Sequence, residues 1–179
     1  MNNEFKRMME LAGLAEISIN QPNLLNQIKT LKNQIDSWDD PNVAYLQAVR
    51  CARLVLPIFE KEFPNDKRIR NVIEASETYL ANPTEVNQKT LTRIHNLATD
   101  AIDEMDMSLV LRDDYYDSVY TAALTAVGAA TAILNDAVIF AQNAAYAATI
   151  AAGGGSNNLN GLDEIKVNKP AKPLKSYKG

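Results

Sequence analysis

Cysteine, histidine and tryptophan occur once each in this chain of 179 residues. A lone cysteine, Cys51, supports neither an intramolecular disulfide framework nor a multi-cysteine zinc site. A lone histidine, His95, excludes sites that need two or more imidazoles. Glycine is scarce in the body of the chain. Gly13 and Gly128 are the only two before residue 153, whereas Gly153, Gly154, Gly155, Gly161 and Gly179 follow. So long a glycine-poor stretch reads as helix. No GxxxxGK[ST], GxGxxG, HExxH or GxSxG pattern occurs, so no motif signals phosphate-cradling, dinucleotide-binding, zinc-peptidase or serine-hydrolase chemistry. The opening MNNEFKRMMELAGL reaches acidic residues at once and lacks an apolar core of about 7–15 residues, so no secretory signal is read and a cytoplasmic location is expected.

Charge divides the chain at the same place as glycine. Residues 1–152 carry 13 Lys and Arg against 20 Asp and Glu, a net of −7, and the remainder carries five lysines against Asp163 and Glu164. An acidic body argues against binding a nucleic-acid backbone, which needs clustered Lys and Arg. The basic tail places Lys166, Lys169, Lys172, Lys175 and Lys178 at every third residue, a spacing that would align them on one edge of a polyproline-II segment. A solubilising tail and a polyanion-binding arm both fit that pattern.

The apolar periodicity is helical throughout. Phe5, Met8, Met9 and Ala12 mark a short amphipathic helix. Leu24, Ile28, Leu31, Ile35 and Trp38 form two turns of a heptad seam, which can pack on the chain's own domain or pair with a second copy. Asp39-Asp40-Pro41 starts a new helix, whose broad apolar face (Leu46, Val49, Ala52, Val55, Leu56, Phe59, Phe63) is interrupted by Pro57, so a kink is expected near residues 53–57. Phe63-Pro64-Asn65-Asp66 is a turn, with Asp66 placed to cap the helix that follows. After Asn82-Pro83-Thr84 comes a helix facing inward with Leu91, Ile94, Leu97, Ala98, Ala101, Ile102 and Met105. An alanine-rich region from Asp114 to Ala152 is too long for one rod and divides near Asn135-Asp136. Between Val119 and Ala152 the only charge is Asp136, yet alanine and threonine contribute little insertion energy, so a buried bundle helix is expected rather than a membrane span.

The densest charge lies in DAIDEMDMSLVLRDDYYD, where Asp100, Asp103, Glu104, Asp106, Asp113, Asp114 and Asp117 face only Arg112. The spacing matches no twelve-residue calcium loop and supplies no Glu–His pair of the di-iron kind. Two readings remain, a solvated face and an acidic docking surface for a basic protein. His95 reads as a structural histidine and Cys51 as a small buried hydrophobe. Arg50 and Arg53, three apart, suit an internal ion pair.

Residues 44–80, AYLQAVRCARLVLPIFEKEFPNDKRIRNVIEASETYL, resemble the central motif of a family of immunity proteins from bacterial polymorphic-toxin systems. The resemblance rests on Cys51 and Ala52, on Val55, Leu56, Pro57, Phe59 and Glu60, and on the helix opening with Asp66, Arg68, Ile73, Glu74 and Ala75. It extends through His95 to Val127-Gly128-Ala129 and Ala144-Ala145-Tyr146-Ala147, covering about residues 43–150. Where the family pattern carries further histidines, this chain has Ala129 and Ile133. The resemblance implies a helical binding domain with a protein partner and supplies no active site. The first residues, NEFKRMMELAGL, also resemble the starts of some phage-encoded proteins.

The expectation is therefore an all-α protein: an N-terminal helical extension (1–42), a compact helical bundle (43–152), and a Gly-rich linker with a disordered Lys-rich tail (153–179). Its expected function is that of a non-catalytic module that neutralises a basic protein by direct binding, without cofactor, metal or membrane and with no nucleic acid expected for the body. The alternative is a structural or assembly protein, phage-encoded or not, that forms homo-oligomers through the seam Leu24, Ile28, Leu31, Ile35 and Trp38.

Overall fold

The computed structural model describes residues 21–37, 39–105 and 114–153. Six helices run through them: α1 (Gln21–Ser37), α2 (Pro41–Glu62), α3 (Arg68–Ala81), α4 (Glu85–Asp103), α5 (Asp114–Leu134) and α6 (Val138–Gly153). No strand occurs among the described residues. The chain is an all-α bundle.

Each boundary has a local cause. Asp40 caps α2 by accepting from the Asn42 N–H at 2.9 Å, and Pro41 occupies the first turn, where no N–H is needed. Thr84 caps α4 through Asn87 N–H at 3.2 Å. Asp66 accepts from the Arg68 N–H at 2.9 Å, so it satisfies a free donor of α3 although the residue at the cap position is Lys67. The break between α5 and α6 falls at Asn135-Asp136, as the sequence suggests. There Ala137 N–H donates to Ala132 C=O at 3.0 Å and Asp136 N–H to Ile133 C=O at 3.4 Å. That pair of bonds is the Schellman closure, which turns on a residue in the left-handed region. Asp136 takes it at φ 49°.

Two helices form the centre. α2 packs against α1, α3, α5 and α6, and α5 packs against α2, α3, α4 and α6. Being surrounded, α2 buries residues on most of its circumference, among them Val49, Val55 and Phe59. Alanine lets α5 and α6 come together: Ala122, Ala126, Ala129, Ala141, Ala145 and Ala148 are buried. Gly128 faces Ala144 so closely that a Cβ on it would lie 3.3 Å from the alanine Cβ.

This packing places several of the residues named from the sequence. Leu24, Ile28 and Ile35 are buried in the same core as α2, with Leu31 half-buried against it, because α1 finds its partners in α2 and α6. Of the two readings of this stripe, packing on the chain's own domain is the arrangement these four residues adopt; Trp38 lies outside the described residues. Pro57, where a kink is expected, lies inside α2, which is one continuous helical element from Pro41 to Glu62. Its ring is exposed, so the missing N–H falls on the solvent side. Leu97, expected inside, is 44% exposed; among the described residues α4 packs mainly against α3 and α5. By length and composition Asp117–Leu134 could cross a membrane, but 67% of that segment is buried inside the bundle.

Candidate partner-binding surface

The charged residues of the 44–80 motif converge on the seam between α2 and α3. Arg70 closes a two-pronged bond on Glu60 at 2.7 and 2.6 Å, and Arg53 grips Glu77 at 3.2 and 2.6 Å. Glu74 sits between them, 4.0 Å from Arg53 and 3.9 Å from Arg70. Paired guanidinium–carboxylate geometry of this kind adds direction as well as charge. Hydrogen bonds from Arg70 hold the Glu60 carboxyl below the usual carboxylate range, against the opposing effect of burial.

A second lock ties the start of α3 to the end of α4. Arg68 bonds Asp66 through Nε and Nη2, the shortest contact being 2.7 Å. The same guanidinium reaches Glu104 at 2.9 and 2.6 Å. Its hydrogen bonds hold both carboxyls below their ordinary values. Beneath this triad lies a cleft of about 190 Å³ lined by Phe59, Phe63, Ala101 and Met105. The two rings stand 5.1 Å apart at 36°.

The seven acids of the 100–117 cluster separate accordingly. Asp100 and Asp103 are exposed on the last turn of α4, and Glu104 is an exposed acid already engaged by Arg68. Asp114 opens α5 and Asp117 is half-buried further along it. Asp106 and Asp113 lie outside the described residues. Among the described residues no group of three or more His, Cys, Asp or Glu side chains is arranged to hold a metal ion. The last turn of α4 carries no basic residue, so these acids stand at the helix end where negative charge is disfavoured.

The single histidine joins two helices. His95 Nε2 lies 2.9 Å from Thr131 Oγ1, and the Thr131 hydroxyl donates to Val127 C=O at 2.9 Å. The imidazole and the threonine hydroxyl thus close one hydrogen bond between α4 and α5. Cys51 is fully buried and its thiol is pushed up to about 12 by that burial. Arg50 donates to Gln47 Oε1 at 3.2 Å in the interior, and burial lowers its basicity. Arg53 forms the internal ion pair expected of it, with Glu77.

The motif is thereby accounted for as architecture. Cys51, Ala52, Val55, Leu56, Phe59, Ile73 and Ala75 are core, while Glu60, Asp66, Arg68 and Glu74 build the two locks. The Glu60–Arg70 bond, ten residues apart across a turn, is missed by helical spacing because that spacing sees only neighbours on one helix. The Glu104–Arg68 bond, between α4 and α3, is missed for the same reason.

Fold and charge together define a small all-α bundle with an acidic helix end. Residues 43–151 match the family described as Immunity protein Imm5, and the chain belongs to that family. Comparison with curated proteins and with solved structures gave no match.

Proposed function

We propose that this chain is an immunity protein that neutralises a toxin by binding it directly, without catalysis. The observation that carries this reading is membership of the immunity family over residues 43–151. The acids at the end of α4 support a basic partner: Asp100 and Asp103 oppose the helix dipole there, at a cost of about 0.3–1 kcal/mol each. A sequence that keeps a locally unfavourable choice does so most often where it serves a site. Exposed carboxylates speed encounter with a cationic protein, and the gain falls as salt screens it.

The test uses whatever toxin gene inspection of the gene neighbourhood finds beside this one. Co-expression with this chain is expected to rescue growth, and the two proteins are expected to co-purify. In the purified pair, Asp100→Asn with Asp103→Asn is expected to slow association at low salt and to change little at high salt. Rescue without a complex would refute neutralisation by binding, and an unchanged on-rate at low salt would refute the basic-partner claim.

A further inference from the structure

The aromatic cleft and the Asp66–Arg68–Glu104 triad belong to one site. It joins the end of α2, the turn after it, the start of α3 and the end of α4. Its volume of about 190 Å³ falls below the range of about 300–1,000 Å³ usual for small-molecule sites. It is suited to a single long side chain. The floor is apolar, since Phe59, Ala101 and Met105 are buried, and Phe63 is half-buried beside them. The rim is charged. Two carboxylates meet one guanidinium, which leaves a net negative charge, and the Glu104 side chain remains 63% exposed with lone pairs directed to solvent. Asp100 and Asp103 stand exposed on the same last turn of α4.

We propose that this cleft is a socket for one arginine or lysine side chain of the partner protein. The aliphatic stem would lie on Phe63 and Met105, and the cationic head would share Glu104 with Arg68. An aromatic wall and a carboxylate rim are the two elements that recognise a cation with a long apolar stem. The proposal rests on the reading of the chain as a protein-binding immunity protein and assigns that binding an anchor point. Within the same reading, Phe59, Asp66 and Arg68 acquire a second role: they shape the socket as well as the fold.

The probe is Nα-acetyl-arginine amide, titrated into the isotope-labelled full chain and followed by amide NMR shifts. The neutral citrulline analogue serves as comparator. Saturable shifts confined to residues 59–68 and 101–105 are expected with the arginine amide alone. Glu104→Gln should weaken that binding about threefold, as should Phe63→Leu. Absence of saturable shifts at these residues, equal binding of the citrulline analogue, or equal binding by Glu104→Gln would overturn the socket. Glu104 is exposed, so its variant keeps the test valid even if Phe63→Leu folds poorly. The toxin separates the two levels of the argument: Glu104→Gln and Phe63→Leu chains that bind toxin as tightly as wild type overturn the socket alone. Failure of the wild-type chain to bind toxin overturns the proposed function.

Discussion

The turn between α5 and α6 allows a stability prediction with opposing parts. Asp136 occupies a left-handed position that glycine adopts freely, and its carboxylate accepts the Tyr45 hydroxyl at 2.8 Å. Tyr45 is buried, and burial followed by the Asp136 bond raises its phenol well above the usual value, so it remains a donor. Asp136→Gly relieves the backbone by about 1 kcal/mol and leaves the hydroxyl without its acceptor, a loss of about 1 kcal/mol at this partly solvated edge. The two nearly cancel, and the variant is expected within about 0.5 kcal/mol of wild type. Asp136→Ala suffers the second loss without the relief, so it should fall about 1 kcal/mol or more below Asp136→Gly. Tyr45→Phe alone should cost about 1 kcal/mol, and close to nothing in the Asp136→Gly background. Urea unfolding reads all four variants, and each kcal/mol corresponds to about 2–4 °C in Tm for a chain of this size. Equal stability of the Ala and Gly variants, or an equal cost of Tyr45→Phe in both backgrounds, would refute the reasoning.

Other expectations follow from the core and the locks. Ile28→Ala should destabilise by about 2–4 kcal/mol, since it opens a cavity in the chain's own core; light scattering that instead shows a fall in mass with stability unchanged would restore the paired seam. Glu60 and Asp66 have folded-state pKa values below their unfolded ones. Their contribution is therefore present at neutral pH and is lost as pH drops below about 4. Arg70→Gln should flatten that acid loss and cost about 0.5–1 kcal/mol at neutral pH, screening included; an unchanged acid profile would contradict it. Cys51, buried with its thiol raised to about 12, should react with thiol reagents only as fast as the chain unfolds, and rapid labelling of the native chain would refute its placement.

Helix existence was legible in the sequence because apolar spacing agrees with the cap and proline residues at Asp40-Pro41 and Thr84 and with the break at Asn135-Asp136. Side chains were read less well where the answer depends on which helices become neighbours. Leu97 has an inward spacing on α4, yet among the described residues α4 has α3 and α5 as its main neighbours and Leu97 stays exposed. The seam Leu24, Ile28, Leu31 and Ile35 has the same pattern whether it meets a second copy or α2 and α6. The acidic cluster was visible as composition, but its division was not: Glu104 is claimed by Arg68, and that bond spans two helices. The cleft under it draws on α2, α3 and α4 together, so no single stretch of sequence displays it.

The central claim is neutralisation by a stoichiometric complex. Its most direct test is a titration of the activity of the toxin that co-purifies with this chain, using the purified chain. A linear fall to zero at one equivalent, independent of incubation time and reversed when the complex is dissociated, is the predicted result. Loss of toxin activity at a small fraction of an equivalent, growing with time, would show chemistry on the toxin and contradict the account.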